Sequence, residues 1–452
     1  MSGDEGHRDV EAAVLGGLES PAMEAVPTRL DAPPSSDLDP GRAPTRPAGD
    51  HDATPEAVAA RNPAEPATLS DGPAPAGLAS RRATLRFVFL VYFASRALLL
   101  LVALLDSVFQ HAAFENELGN WDGYWYWLLS SHGYPRHVEH IQSTLGFFPL
   151  YPALMWLISR VTNTGTIPAG LIIAGFGGFI AVVLIERLCT RWWGETAGRR
   201  AVVLFCLFPG SIVFSMVYSE GVLIPLAAGC LLALESKRWL LAGVLAAFAT
   251  AIGPDALAIV VACAVASFIE LRRRGWRDPT ARRSLIAPLL SPLGIVGFGL
   301  FLWRWTGSPF ASFIAQHDGW GERTDAFALI RQAQTIAHEL SATPFSLHNL
   351  NLNYVAGLLG ALVLLAGLIL LLLGRPRRIP AAAVGWTLGI AFLAVTSEYT
   401  PPNPRLLITA FPAVLVLAAV LRRRGFRICV VVNTLLLLYM SAVTFVGIAL
   451  RP

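Results

Sequence analysis

Long apolar stretches separated by short polar loops dominate the chain from about residue 87 onward. A helix that crosses a bilayer needs about 20 predominantly apolar residues. By this measure the pattern predicts an all-α polytopic membrane protein with eleven spans, near 87–105, 168–188, 199–218, 220–235, 239–252, 256–271, 284–305, 351–373, 380–396, 405–421 and 428–449. Two of them, 220–235 and 239–252, are short, so a single broken hairpin is an open alternative there.

Arginine and lysine in the connecting loops predict the orientation, because cytoplasmic loops carry an excess of both. If the first span runs outward, every basic loop is cytoplasmic; these loops lie at 187–200, 237–238, 272–283, 375–378 and 422–427. This requires that Pro149 to Thr162 does not cross the membrane. After Pro152 only about ten residues precede a polar turn, too few to span. We therefore predict a helix in the outer interface there, and outward loops at about 106–167 and 306–350.

The N-terminal part of the chain has a different composition. Its first 80 residues contain 14 Asp and Glu, 5 Arg and 12 Pro, a net charge of −9. A segment of this kind buries too little apolar surface to offset its ordering entropy. Residues 1–82 are predicted to be a disordered cytoplasmic tail, and 83–452 the transmembrane domain. The acidic first 20 residues have no apolar core, so no cleavable signal peptide is expected.

The overall composition excludes several classes of protein. Of the 452 residues 54% are hydrophobic and 15% charged, with a mean hydropathy of +0.54, whereas soluble domains are about 25% charged. A soluble enzyme is therefore excluded. No nucleic-acid partner is expected, because the excess arginine lies in short runs between apolar spans. The five cysteines occur singly and are interpreted as small apolar residues, neither disulfide-bonded nor metal-binding.

A concentrated group of aromatic residues lies in the first outward loop. The segment Trp121–Trp127 has five aromatics around one carboxylate, Asp122. Trp and Tyr anchor proteins at the level of the lipid headgroups, so one interpretation is an aromatic anchor with Asp122 facing water. The other is a sugar site, in which aromatic faces flank an acid. We favour the sugar site, since a solvated anchor needs no acid among its rings.

Further motifs follow in a recognisable order. After W-D-G-x-W-Y at 121–126 come Gly133-Tyr134, the run F-F-P-L-Y-P at 147–152, Phe208-Pro209-Gly210 with Tyr218-Ser219-Glu220, and Pro404-Arg405 with Phe411-Pro412. Over roughly residues 85–425 this order resembles the second mannosyltransferase of GPI-anchor synthesis, the PIG-V family, and its bacterial relatives. These are GT-C glycosyltransferases.

The resemblance implies a fold and a reaction. The fold is a GT-C-like helix bundle whose first outer loop carries two interfacial helices, about 121–132 and 149–162. The reaction transfers mannose or a related hexose from a polyprenyl-phosphate donor to an acceptor hydroxyl at the outer face of the membrane, with inversion. Asp122 matches the motif acid and is the implied general base. Glu115 and Glu117 are second choices.

The departing lipid phosphate requires a cation, for which arginine is suited by its planar fork. Arg405 matches the late arginine of the family and opens a span on the outer side; the alternative is a snorkelling residue that touches headgroups. Arg96 lies within the first span, where a charge is costly. It either pairs with an acid or lines the cavity for the donor phosphate. Weaker candidates are Arg304, Arg323 and Arg331.

Substrate contacts are predicted for Trp121, Trp125, Tyr134 and Glu220. Glu220 either pairs with Arg96 or binds acceptor hydroxyls. One position departs from the family pattern: many relatives have Arg-Pro-x-Gly where this chain has Gly253-Pro254-Asp255. The turn thus lacks the arginine that would give it a phosphate role and gains an acid, and Asp255 is interpreted as a cap of the next helix.

No cofactor and no metal are expected, because the chain has no P-loop and no His-Glu-x-x-His motif. His317-Asp318 and His338-Glu339 are interpreted as solvated pairs. The rival function is a polytopic transporter or flippase of lipid-linked sugars, which would show internal repeats and charged or broken segments in both halves. The sequence shows no repeat, so a transferase is favoured. It leaves the acceptor open among a lipid glycan, a polymer and a protein.

Overall fold

The computed structural model describes residues 78–110, 117–341 and 351–445. Within them the regular structure is helical, apart from one isolated bridge between Thr324 and Ser397, and the all-α prediction is confirmed. The α-helices of six or more residues are α1 (Leu78–Gln110), α2 (Asp122–His132), α3 (Leu150–Thr162), α4 (Thr166–Trp193), α5 (Glu195–Leu207), α6 (Glu220–Glu235), α7 (Trp239–Thr250), α8 (Leu257–Arg274), α9 (Leu293–Thr306), α10 (Ala328–Ser341), α11 (Leu352–Leu372), α12 (Ala381–Thr396), α13 (Pro404–Thr409), α14 (Phe411–Val420) and α15 (Arg423–Phe445).

Shorter helical segments connect them, among which are two turns of 3₁₀ helix that matter for the site, Pro209–Ser215 and Pro254–Ala256. The others are Thr144–Gly146, Pro279–Arg282, Arg283–Leu285, Ile286–Leu290, Ala311–Ile314 and the π-helical turn Ala315–Gly319. Of the predicted tail, only residues 78–82 lie among the described residues, and they belong to α1.

The number of spans differs from the prediction. In the described part of the chain six helical stretches are long and apolar enough to cross a membrane, or seven if α5 and Pro209–Ser215 form one bent span. One of the six is Pro279–Thr306, which consists of three short helical segments followed by α9. Three further apolar helices, α7, α12 and α14, have only 12, 16 and 10 residues. At about 1.5 Å per residue these are shorter than a bilayer core of about 30 Å. A multi-pass membrane protein is confirmed, and the count of eleven is not.

Prolines explain why two predicted spans are divided. The predicted span 199–218 is bent by 72° at Pro209, and 405–421 is divided into α13 and α14, with Pro412 in the first turn of α14. Proline has no N–H to donate to the preceding turn, and its ring clashes with the carbonyl four residues earlier. The apolar pattern alone predicted continuous helices at both places.

The two helices predicted in the first outer loop are present. They begin at Asp122 and Leu150, each one residue after the predicted start, and end at the predicted residues His132 and Thr162. Helix α3 has 13 residues and is too short to span. The next residue, Asn163, closes the helix with a φ of +54°, the left-handed conformation found at the end of many helices.

Small residues let several helices pack with their backbones in contact. A β-carbon at Gly177 of α4 would lie 1.7 Å from the carbonyl oxygen of Gly221 in α6. Similarly, a β-carbon at Gly360 of α11 would lie 2.0 Å from the carbonyl oxygen of Pro402. Close approach at small residues is the usual way in which membrane helices gain packing contacts. Here it fixes the backbone beside Glu220 and just before Arg405.

Candidate active site

Asp122 is the first residue of α2 and follows a constrained turn. Trp121 before it has φ +60° and ψ −122°, a conformation that residues with a side chain rarely adopt. The turn is held by the N–H of Gly123, which donates to the carbonyl of Asn120 at 3.1 Å. Unusual backbone of this kind clusters at functional sites. The strained residue thus directly precedes Asp122, the acid of the sequence motif.

The segment before α6 is tied to α2. The N–H of Val217 donates to the carbonyl of Leu118 at 3.0 Å, and the hydroxyl of Tyr126 lies 2.9 Å from that of Ser219. At Gly123 a β-carbon would come within 3.3 Å of the β-carbon of Val217, so a larger residue would crowd this junction. These contacts hold the start of α6 close to the start of α2.

Arg405 reaches the same place from the C-terminal part of the chain. It follows Pro404 in α13, and the side chain of Asn403 caps this helix by accepting from the N–H of Leu406 at 2.9 Å. A β-carbon at Gly210 would lie 2.0 Å from the carbonyl oxygen of Pro404. Helix α13 is therefore packed directly on the Pro209–Ser215 turn.

Three residues far apart in sequence meet in one cluster, which we call the Arg405 cluster: Asp122, Glu220 and Arg405. Nη1 of Arg405 donates to Oδ2 of Asp122, and its Nε donates to Oε1 of Glu220. The guanidinium also lies over the ring of Tyr218, 5.1 Å from the centroid, within the range of a cation–π contact. Each of the three residues was predicted from the sequence to have a role, but their direct contact was not predicted.

Exposure differs strongly within the Arg405 cluster. The side chain of Glu220 is 2% exposed, that of Arg405 21% and that of Asp122 30%. Oε2 of Glu220 is buried and has no hydrogen-bond partner among the described residues. Glu220 thus lies at the buried bottom of the site, whereas Asp122 is accessible to an incoming molecule.

A third carboxyl group lies near the cluster. Asp255 is close enough for the charges of both Arg405 and Asp122 to act on it. Its side chain makes no cap: the residue that precedes α8 is Ala256, and no side chain caps that helix. Two acids therefore contact Arg405 and a third lies nearby, so this group of four residues carries a net negative charge when all are ionised.

Arg96 is buried in α1 and contacts the break after α5. Its guanidinium donates to the carbonyl of Cys206 at 2.9 Å, to the hydroxyl of Ser211 at 2.9 Å and that of Ser215 at 3.3 Å, and to the carbonyl of Ser211. These groups lie where the bent helix leaves carbonyls without helical partners. No carboxylate contacts Arg96 in the described part of the chain. Its predicted role at the donor phosphate stays a prediction.

The aromatic residues of the first loop form a cluster of their own. Trp125 is stacked on Phe147, with centroids 6.0 Å apart, and meets Trp320 of the second loop edge-on at 5.2 Å. The hydroxyl of Tyr134 donates to the carbonyl of Phe147 at 2.8 Å. Nε1 of Trp121 is buried without a hydrogen-bond partner among the described residues. Substrate contacts by Trp121, Trp125 and Tyr134 stay predictions.

Of the second-choice acids, Glu115 lies outside the described residues. Glu117 is 3% exposed, and neither of its carboxylate oxygens has a hydrogen-bond partner in the described chain. Burial, with a smaller contribution from the charge of Asp106, raises the pKa of Glu117 to about 6. Although Glu117 is only five residues from Asp122 in sequence, it does not contact the Arg405 cluster.

The weaker cation candidates lie elsewhere. Arg304 and Arg323 are exposed, and Arg331 pairs with Asp325 and, at 3.8 Å, with Glu398. Asp318 contacts His317 at 2.6 Å and also His140 of the first loop at 2.5 Å. These contacts join the loops at 106–167 and 306–350 without adding a cation to the Arg405 cluster.

Two supporting residues were not singled out from the sequence. Tyr218 lies under the guanidinium, although it stands in a motif that had been noted, and Gly210 makes room for Pro404. The only sequence signal for them was their position, Tyr218 two residues before Glu220 and Gly210 directly after Pro209. It did not reveal the contacts, because both involve residues about 190 positions away in the chain.

Comparisons with known proteins cover part of the chain. No curated protein matches significantly. Among solved structures, ArnT from Cupriavidus metallidurans bound to undecaprenyl phosphate is 15% identical with a TM-score of 0.44, over 67% of this chain and 56% of that chain. The apo oligosaccharyltransferase of Archaeoglobus fulgidus is 13% identical with a TM-score of 0.37, over 78% and 56% respectively. The chain thus spans little more than half the length of these two structures.

The family comparison covers the first half of the transmembrane region. A model described as mannosyltransferase (PIG-V) matches residues 94–296. This range contains Asp122 and Glu220 and ends before Arg405. The resemblance inferred from the ordered motifs is therefore confirmed: residues 94–296 match the PIG-V mannosyltransferase family.

Proposed function

We propose that the protein is a membrane glycosyltransferase that moves mannose, or a related hexose, from a polyprenyl-phosphate donor to an acceptor hydroxyl on the outer face of the membrane. The observation that carries the proposal is the meeting of Asp122, Glu220 and Arg405. An acid that can take a proton and a cation that can hold a phosphate lie side by side. Inverting transfer from a lipid phosphate requires both groups.

In the proposed reaction Asp122 removes the proton of the acceptor hydroxyl as its oxygen attacks C1 of the sugar. The bond between C1 and the phosphate oxygen breaks, and its electron pair stays on the phosphate. Arg405 offers a planar fork for the charge that develops there. Attack from the face opposite the phosphate inverts C1. No step in this scheme draws on a cofactor.

The test is transfer by the purified protein reconstituted in vesicles with labelled polyprenyl-phosphate mannose and candidate acceptors. A labelled glycosylated product is expected from the wild type. Asp122→Asn should lower the rate by about 10² to 10⁴, the usual contribution of a general base. Its fold should be kept, because Asp122 is 30% exposed. Near-normal turnover in this variant would remove Asp122 from the mechanism and direct attention to Glu117.

The same vesicles distinguish the rival function. A transporter or flippase of lipid-linked sugars would move labelled donor across the bilayer and leave it chemically unchanged. A transferase converts the donor to product and free polyprenyl phosphate. Flux without product would overturn the proposal in favour of the transporter.

A further inference from the structure

The guanidinium of Arg405 donates to two carboxylates, from Nη1 to Asp122 and from Nε to Glu220. A donor phosphate that binds through Nη1 therefore competes with Asp122, and one that binds through Nε competes with Glu220. The site as it stands has its proposed base and its proposed cation engaged with each other.

The two carboxylates are not equally replaceable. Glu220 is 2% exposed and bound to Nε, while Asp122 is 30% exposed and bound to Nη1. Breaking a buried ion pair leaves an uncompensated charge in a poorly solvated place and is strongly unfavourable. The more exposed Asp122 can be re-solvated or can turn to an incoming hydroxyl. A phosphate is therefore expected to displace Asp122 and leave Glu220 in place.

The surroundings of Glu220 also suit a fixed residue. It begins α6, whose next residue, Gly221, is packed against α4 so closely that a β-carbon would lie 2.5 Å from the Cα of Ala174. On the other side, the ring of Tyr218 supports the guanidinium. Arg405 is thus held at its Nε edge and over one face, and its Nη1 edge faces the accessible side.

We propose that Glu220 is a positioning residue that fixes Arg405, and that the donor phosphate displaces Asp122 from Nη1. Donor binding then frees the base, so that proton removal from the acceptor begins only when a sugar donor is in the site. This inference rests on the proposed function. It adds an order of events, donor before acceptor, and assigns Glu220 to the arginine instead of to the acceptor hydroxyls.

The test measures the binding of sugar-free undecaprenyl phosphate to the reconstituted protein, with tryptophan fluorescence as the readout. Asp122→Asn removes the charged competitor, so this catalytically impaired variant should bind the phosphate more tightly, by about tenfold, since a charge-assisted hydrogen bond is involved. Glu220→Gln should bind it more weakly by a similar factor, because the fork is no longer fixed. Glu220→Asp keeps the charge and should recover part of the affinity.

The matched control is Glu195→Gln, which removes an exposed carboxylate at the opposite end of α5 from its break and should bind as the wild type does. Equal or weaker binding by Asp122→Asn would overturn the displacement. Wild-type affinity in Glu220→Gln, in protein with unchanged thermal stability, would overturn the positioning role. Product formation by the wild type is scored in the same preparations, so either failure is distinguishable from failure of the proposed function.

Discussion

Arg405 carries the positive charge that pairs with the acids of the site, and the planar shape of its guanidinium matters as much as its charge. One planar group contacts Asp122 through Nη1 and Glu220 through Nε. A lysine ammonium is a point charge and cannot reproduce this two-edged geometry. The same distinction separates a phosphate ligand from a headgroup anchor, since an anchor tolerates lysine.

We therefore expect Arg405→Lys to lower kcat by about 10² to 10³, the usual effect of removing a donor to developing charge. A phosphate that gains charge as the sugar departs binds the cation more tightly in the transition state, so kcat should fall and not only KM rise. Steady-state kinetics with purified lipid-phosphate donor measure this. An unchanged kcat would leave Arg405 with a structural role and make Arg96 or Arg304 the next position to test.

Glu117 provides a prediction about pH. Burial raises its pKa from 4.5 to about 6, so between these values the folded protein binds more protons than the unfolded chain. The free energy of unfolding should then fall as the pH rises from about 4.5 to about 6, and this contribution should stay constant above that. Glu117→Gln removes the ionisable group, and with it this part of the pH dependence.

Thermal unfolding midpoints of the purified protein at several pH values between 4.5 and 7 test this. Relative to the wild type, Glu117→Gln should lose less stability on going to pH 7. Glu195→Gln is again the control, because that carboxylate is exposed. Identical pH profiles for Glu117→Gln and the wild type would show that ionisation of Glu117 is not linked to folding.

At the scale of helices, breaks and small residues position the site. Arg96 contacts the carbonyl and the hydroxyl of Ser211 in the Pro209–Ser215 turn. Gly210 in that turn contacts Pro404, which precedes Arg405. The buried arginine of α1 is thus connected to the Arg405 cluster through packed backbone. This arrangement gives Arg96 a structural explanation that requires no acid.

A substitution at the contact between α4 and α6 tests this packing most directly. Gly221→Ala would bring a β-carbon within 2.5 Å of the Cα of Ala174, a backbone atom that cannot yield locally. The helices must separate, which should lower the thermal unfolding midpoint and displace the neighbouring Glu220. Gly297→Ala in α9 is the matched control, since nothing lies within 4 Å of its β-carbon. It should be neutral or slightly stabilising, by up to about 1 kcal/mol. Equal effects of the two substitutions would contradict the assigned packing.

Helix type and location were predictable because apolar length and loop charge are local properties. The bounds of α3 were predicted from a proline and a polar turn, those of α2 from the family resemblance, and both agree with the structure to one residue. Division of the span at 199–218 was not predicted, although Pro209 and Gly210 stand in it, because proline can bend a membrane helix without ending it. The pairing of Glu220 with Arg405 was also missed: contacts over 185 positions depend on helix packing, which hydropathy does not encode.

At the scale of the whole molecule, the short helices bear on the orientation in the membrane. They occur as neighbours, α6 with α7 and α12 with the divided α13 and α14. If both members of a pair cross the bilayer, or if both enter and return on the same side, the chain leaves the pair on the side from which it entered. These two pairs therefore do not change the orientation that the basic loops predict, which requires that α5 and Pro209–Ser215 cross the membrane as one bent span.

That orientation places Asn163, Gly319 and Asn403 outside and Trp193, Arg274 and Arg378 in the cytoplasm. Reporter fusions at these six positions test it, with a phosphatase active outside and a fluorescent protein active inside. The result at Asn403 is the most informative, because Asn403 caps the helix that carries Arg405 and the donor sugar is expected at the outer leaflet. A cytoplasmic result at Asn163 would mean that α3 crosses the membrane and that the following arrangement is inverted. Glu220 and Arg405 would then lie on the cytoplasmic side, and Asp122 on the outer side. The direct contact of Arg405 with Asp122 contradicts this separation. Agreement at Asn163 and Asn403 together is therefore what the geometry of the site requires.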